Sequence, residues 1–267
     1  MLKQLANALT PPAVWKMAQR LRAPRGIHFE GDYPSWQAAL DAAGRYDAPD
    51  ILARVRAAAL KVKQGEAVFE RDSVCFDHEE YRWPTLACLL RVAAEHEGAL
   101  RVLDFGGSLG SFYFQHRKHF QHLKQVRWSV VEQAHYVACG REDFQDDVLR
   151  FYETVEKCQT EGTVDVVLCS SVLEYLEKPY DVLADLANSG APYVLLDRTP
   201  FITGEEDRLT VQHVPPSIYR ASYPAWFFSY ERFLRVVNDI GCRVEVEFQG
   251  EDDVGIGKFK GVLLARN

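Results

Sequence analysis

No apolar run in these 267 residues approaches the roughly 20 needed to cross a bilayer. Low-complexity tracts and internal repeats are also missing, which excludes a solenoid or a repeat array. Basic charge is short: 31 Lys and Arg stand against 38 Asp and Glu, a formal net charge of -7. A net acidic surface repels phosphate backbones, so nucleic acid is a poor partner. Closely spaced cysteines are lacking as well. The six, at positions 75, 88, 139, 158, 169 and 242, form no zinc-knuckle or redox spacing, and several lie in apolar stretches such as Val167-Leu168-Cys169. They read as buried free thiols of a reducing, cytoplasmic setting rather than a disulfide framework. Finally, residues 1–25 contain no acidic residue but five basic ones, Lys3, Lys16, Arg20, Arg22 and Arg25. Without the apolar core and cleavage site of a secretory signal, this segment has two readings. It is a solvated end, or a basic amphipathic segment in peripheral contact with an anionic membrane through Trp15, Ala18 and Leu21.

What is present is the balance of a globular protein, with 47% hydrophobic and 26% charged residues. Two textures divide it. Residues 1–98 read as a mostly helical extension. Ser35 caps a helix through Ala43, Ala48-Pro49-Asp50 precedes a second ending near Lys63, and Pro84 opens a third to about His96. The stretch from Gly65 to Asp72 between them reads as irregular or strand-like. From residue 99 to 267 short apolar strands alternate with helices, with strands expected at 101–105, 127–132, 149–152, 164–169, 192–197, 242–248 and 259–265. A helix from Tyr230 to Ile240 precedes the sixth. The first five, joined by helices, predict a parallel sheet covered on both faces. The last two are joined only by residues 250–257, too few for a crossover helix, and predict an antiparallel hairpin. The expected fold is α/β, a Rossmann-like seven-stranded sheet of five parallel strands plus a C-terminal antiparallel hairpin.

The most specific segment is Arg101-Val102-Leu103-Asp104-Phe105-Gly106-Gly107-Ser108-Leu109-Gly110, an apolar strand that enters a glycine-rich turn before a helix. Glycine lets the backbone bend sharply and approach a ligand without a Cβ in the way. Twenty-two residues after Gly110, the strand Trp128-Ser129-Val130-Val131 ends in Glu132, at the position where a carboxylate holds a ribose diol. Asp104 and its turn resemble the first motif of class I S-adenosylmethionine-dependent methyltransferases, acidic-x-Gly-x-Gly-x-Gly, with Ser108 at the middle glycine position. Val164 to Leu176 resembles the same family's fourth strand and following turn, with Tyr175 at the usual histidine position. The resemblance implies S-adenosyl-L-methionine as cofactor, with its methionine part on Asp104, Gly106, Gly107, Ser108 and Gly110. It further implies that Ser170 and Ser171 lie beside the cofactor and that Phe151, Tyr152 and Glu153 end the strand that contacts adenine, with Tyr152 the candidate contact. With Phe29 to Trp36, Glu70 to Ser73, Asp197 to Pro200 and Tyr223 to Trp226, the chain also looks like an uncharacterised bacterial methyltransferase family associated with surface-polysaccharide loci. That likeness covers most of the chain from Phe29 and implies an acceptor among small molecules or glycan precursors, with O-methylation of a sugar leading.

Candidate acceptor residues follow the later strands. Asp197 and Arg198 end the fifth strand, where they bind or deprotonate an acceptor or pair internally. His213, in the long connection to the last helix, is a candidate base or an idle loop residue. The aromatic stretch from Tyr219 to Tyr230 reads as a lid or a stacking platform, or as packing against the N-terminal helices. His116, His119 and His122 recur every third residue but lack acidic or cysteine ligands at matching spacing, so they read as a solvated helix face and no metal is expected. Two other functions compete with methyl transfer. An NAD-dependent oxidoreductase also pairs a glycine loop with a carboxylate, and a scaffold protein keeps the fold without turnover.

Overall fold

A computed structural model describes residues 26–43, 48–71, 73–215, 218, 221–253 and 255–267. The basic segment 1–25, with its membrane reading, lies outside the described residues, as do Tyr219 and Arg220. Among the described residues no helix is long and apolar enough to cross a membrane.

The chain opens with strand β1 (His28–Glu30) and helices α1 (Trp36–Ala42) and α2 (Ala48–Gln64). Ser35 caps α1 as expected, its hydroxyl accepting from the Ala38 N–H at 3.2 Å. The strand-like stretch becomes a small hairpin, β2 (Phe69–Arg71) with β3 (Val74–Phe76), and α3 (Trp83–Glu95) follows with Pro84 in its first turn. The main sheet then takes β4 (Ala99–Phe105), β5 (Gln125–Val131), β6 (Leu149–Tyr152), β7 (Val166–Ser170) and β8 (Tyr193–Ile202). These pair in parallel in the order β6-β5-β4-β7-β8. β11 (Cys242–Asp253) and β12 (Lys258–Arg266) form the expected antiparallel hairpin, with β12 against β8.

Consecutive buried side chains of the central strands go to opposite faces of the sheet. Leu100, Val102, Val166 and Leu168 join the core under α2 and α3. Leu103, Val167, Cys169 and Leu196 face the other layer, with α7 (Pro179–Ala187) and α8 (Tyr230–Asp239). Two buried faces require the near-continuous apolar run Val166-Val167-Leu168-Cys169. The helices between are α4 (Ser111–His116), α5 (Ala134–Asp143) and α6 (Val155–Gln159).

Two expectations need correction. The connection between the fifth strand and the last helix is not an irregular lid: it folds into β9 (Arg208–Val214) and β10 (Ala221–Ser229). β8 runs on past residue 197, and Phe201 and Ile202 pair in parallel with Phe228 and Ser229 of β10. β9 pairs with β10, and β1 with β9, both antiparallel. These three strands continue the sheet beyond the tips of β4 and β7, so the N-terminal extension supplies an edge strand to it. The second correction concerns the histidines. α4 stops at His116, a 3-10 turn takes over to Phe120, and His116 is fully buried rather than solvated.

Three chain segments meet at one buried ion pair. Arg82 Nη2 donates to Asp197 Oδ1 at 3.1 Å, with side chains 9% and 0% exposed. The Arg82 backbone N–H donates to His116 Nε2 at 3.0 Å, and His116 Nδ1 donates to the Phe112 carbonyl at 2.9 Å. Burial holds the imidazole neutral, its pKa pushed down to about 4, which keeps Nε2 an acceptor. The entry to α3, the end of α4 and the middle of β8 are thus locked together. Removing one partner of a buried pair leaves the other charge uncompensated. Arg82→Met is therefore expected to lower unfolding free energy by about 3–5 kcal/mol in urea denaturation. The double variant Arg82→Met, Asp197→Leu recovers most of that loss.

Candidate active-site cleft

The carboxyl ends of β4, β5, β7 and β8 open into a cleft of about 710 Å³, within the range of small-ligand sites. At its floor, β4 delivers Asp104. This carboxyl is buried and accepts a hydrogen bond from Trp128 Nε1 at 2.8 Å. Burial pushes its pKa up to about 7, the Trp128 bond opposes the rise, and nearby Glu132 adds to it. Glu132, at the tip of β5, is raised too by desolvation, while the N–H groups of Gln133 (2.8 Å) and Ser108 steady its charged form. Two carboxylates thus face one cleft from neighbouring strand tips.

The turn between them has a distinct physical reason at each position. Gly107 is small because a Cβ there would lie 2.4 Å from the Asp104 carboxyl. Ser108 adopts φ +54°, the left-handed conformation that a glycine enters freely. Its strain, of the order of 1 kcal/mol, is held by the backbone bond to Glu132. Ser171 (φ +55°) and Arg198 (φ +52°) repeat this conformation at the ends of β7 and within β8. At Arg198 the cause is visible in the ladder: Lys260 pairs with Thr199 and Val262 with Leu196, so Asp197 and Arg198 together oppose Gly261. Such a bulge turns successive side chains to new directions. Arg198 lines the cleft, while Asp197 lies beneath it, bound to Arg82 and to the Ser170 hydroxyl at 3.1 Å.

Asp104, Gly106, Gly107, Ser108, Glu132, Ser170, Ser171 and Arg198 all line this one cleft. Four candidates lie elsewhere. Gly110 caps α4 at φ +88° and packs against Leu149. Tyr152 is buried in the core with its hydroxyl donating to Glu161 at 2.6 Å. Asp197 is sealed behind Arg82. His213 is on the opposite face of β9 from the cleft-lining Gln212 and Val214, stacked on His28 with centroids 5.0 Å apart.

Sequence reasoning missed the contribution of the extension and the added strands. Glu70, Arg71 and Arg82 line the cleft, and Arg82 Nη1 is buried with no hydrogen-bond partner among the described residues. Glu70 accepts from the Ser111 hydroxyl and from the Ser73 N–H at 3.2 Å. Across the cleft, Tyr175 donates to Gln212 Oε1 at 2.9 Å, Gln212 Nε2 donates to the Tyr223 hydroxyl at 3.2 Å, and the two tyrosine rings meet edge to face. Tyr175 at the family's histidine position was the one local signal for this group.

No protein-family model and no curated protein matches the chain. Solved structures do resemble it. Magnesium protoporphyrin IX methyltransferase from Synechocystis PCC 6803, bound to S-adenosylhomocysteine, shares 12% identity at a TM-score of 0.50, over 83% of this chain and 100% of that one. An amino pentose methyltransferase from Micromonospora echinaspora, bound to S-adenosylmethionine, shares 16% at 0.48, over 70% and 92%. The N-terminal domain of EvdMO1, in the presence of S-adenosylhomocysteine and D-fucose, shares 18% at 0.43, over 83% and 97%. The fold is the Rossmann-like methyltransferase fold.

Two buried carboxyls give the free protein a distinctive pH response. Asp104 and the buried Glu174 both hold their protons to about pH 7 when folded, against about 4 when unfolded. The folded state binds more protons between those values, so the stability they contribute is present below about pH 4 and is lost as pH rises through 7. Melting temperature without ligand is expected to fall between about pH 4 and 7 and to level off above that. Asp104→Asn, which keeps the shape and removes the titration, should flatten that slope in a thermal-melt series; an unchanged slope would assign it to other groups.

Proposed function

We propose that this chain is an S-adenosylmethionine-dependent methyltransferase acting on a hydroxyl of a small molecule or glycan precursor, with a surface-polysaccharide sugar as the leading acceptor. The observation that carries this reading is the pair of desolvated carboxylates, Asp104 and Glu132, on either side of the glycine turn at the head of one cleft. Both are raised by burial, so their charged forms gain most from a ligand that is cationic or rich in hydroxyls. The donor set fits S-adenosylmethionine, which has both properties. When bound, it supplies a methyl group activated by a positively charged sulfur.

The chain's own work is positioning and exclusion of water. Glu132 accepts from a ribose diol, each charge-assisted bond contributing about 1.5–3 kcal/mol in favourable cases. Asp104 becomes ionised against a positive ligand group, and Gly106 to Ser108 let the backbone approach closely. On the acceptor side, Arg198, aimed into the cleft by its bulge, and Arg82 Nη1 orient oxygen atoms of the second substrate. Tyr175 and Tyr223 provide faces and hydroxyls suited to a sugar ring. The printed names of two resembling structures mention an amino pentose and D-fucose, which keeps sugars in front as acceptors.

Calorimetry tests the cofactor half. S-Adenosylhomocysteine should bind the wild type, and Glu132→Ala should lose about 1.5–3 kcal/mol with the fold intact. Unchanged affinity in the folded variant removes Glu132 from the site, and tighter binding of NAD turns the reading to oxidoreduction. The acceptor half needs turnover on a panel of glycans and nucleotide sugars, read as S-adenosylhomocysteine release. Arg198→Ala should slow an active pair while leaving cofactor affinity near wild type, and His213→Ala should leave both unchanged. No turnover on any acceptor, with cofactor binding intact, would favour the scaffold reading.

A further inference from the structure

The residue that the sequence offered as a base belongs to a different arrangement. In the β1–β9 ladder, His28 lies directly opposite His213, and Glu30 follows His28 by two residues, on the same face of β1. Their donor atoms converge. Glu30 Oε1 is 3.3 Å from His28 Nε2, and Glu30 Oε2 is 3.9 Å from His213 Nε2. One ligand atom from each residue lies within 4.8 Å of the other two. The imidazoles are half-buried, 29% and 34% exposed, while the Glu30 side chain is 62% exposed and open to water on its outer side. On its far side, His28 Nδ1 is 3.4 Å from the Gly26 carbonyl, a contact that favours the Nδ1–H tautomer. That tautomer leaves the Nε2 lone pair directed at the cluster. The same arrangement, one ring nitrogen on a carbonyl and the other free, orients histidine ligands in metal sites.

We propose that His28, Glu30 and His213 bind a divalent transition-metal ion of the zinc class, which fastens β1 to the sheet. Two neutral imidazoles and one carboxylate suit zinc and its neighbours rather than calcium or magnesium, which take oxygen ligands. Three protein ligands leave the remaining coordination to water. The expectation that this chain holds no metal weighed the spacing of histidines along one helix, whereas these ligands come together across two strands 185 positions apart in sequence.

The ion's role is structural. His28, Glu30 and His213 point away from the cleft, whereas Phe29, between the first two, and Gln212, beside the third, line it. β1 has only three residues and one partner strand, and its Phe29 ring packs edge to face on Phe227 at 4.9 Å. A bond from β1 to β9 through the ion therefore holds a wall of the cleft from behind. Chemistry in the cleft does not pass through it.

Cobalt provides the probe. The full chain, stripped with chelator and titrated with Co2+, should show a visible d–d absorption band that saturates at one ion per chain and is displaced by Zn2+. His213→Ala and His28→Gln should each weaken binding by more than about tenfold, Glu30→Gln should weaken it too, and His122→Ala should leave it unchanged. Zn2+ should raise the melting temperature of the wild type and not of His213→Ala, with circular dichroism verifying that each variant is folded. No saturable band, or a band indifferent to both His28→Gln and His213→Ala, overturns the proposal. Neither readout involves the cofactor or methyl transfer, so failure here leaves the proposed function standing.

Discussion

A single buried ion pair sets the arrangement of this molecule. Asp197 is at the point where β8 loses β7 as its neighbour and, four residues on, gains β10. A carboxylate there is far from water, and several kcal/mol of desolvation must be offset by well-placed partners. Arg82 supplies the counter-charge, Ser170 a hydroxyl, and the Asp197 carbonyl receives the Ser171 N–H at 2.9 Å. Each of these bonds fixes a different element. The extension is thereby bound to the sheet beside the cleft that Arg82 also lines.

The same low dielectric governs the tips of β4 and β5. Asp104 and Glu132 are held where their charges are poorly solvated, so burial shifts both toward their protonated forms in the free protein. A cationic, hydroxyl-bearing ligand restores what water no longer provides. The strained backbone at Ser108, Ser171 and Arg198 belongs to this design: two strand ends and one bulge bend sharply to bring polar groups to one opening. None of these features depends on a metal, and the histidine pair behind β9 is separated from them by the strand itself.

The parts of this structure that are local in sequence were legible. Asp104 and its glycine turn, Glu132 at a strand tip, the two serines where β7 ends and the terminal hairpin each have a short signature. What was not legible is set by contacts distant in the chain. Arg82 meets Asp197 across 115 positions and gives no local sign of it. His116 looked solvated because its spacing matched a helix face, yet the helix ends there and Arg82 covers it. The aromatic run before α8 read as a lid or stacking platform because it is dense in rings and lies on a long connection; the strand it forms contains Pro224, and proline disfavours a central strand. The structure tolerates it because β10 is paired with β8 only at Phe228 and Ser229, so at Pro224 its ladder partner is β9. Tyr152 does not line the cleft, because at the end of β6 it is buried in the core with its hydroxyl on Glu161.

The central claim is that Asp104, the glycine turn and Glu132 together hold S-adenosylmethionine. A crystal structure of the full chain with S-adenosylhomocysteine tests it most directly. The account predicts both ribose hydroxyls within hydrogen-bond distance of the Glu132 carboxylate, with the amino-acid end of the ligand over Asp104 and Gly106 to Ser108. A ligand seated elsewhere, or one whose ribose is held by other groups while Glu132 faces solvent, would contradict it.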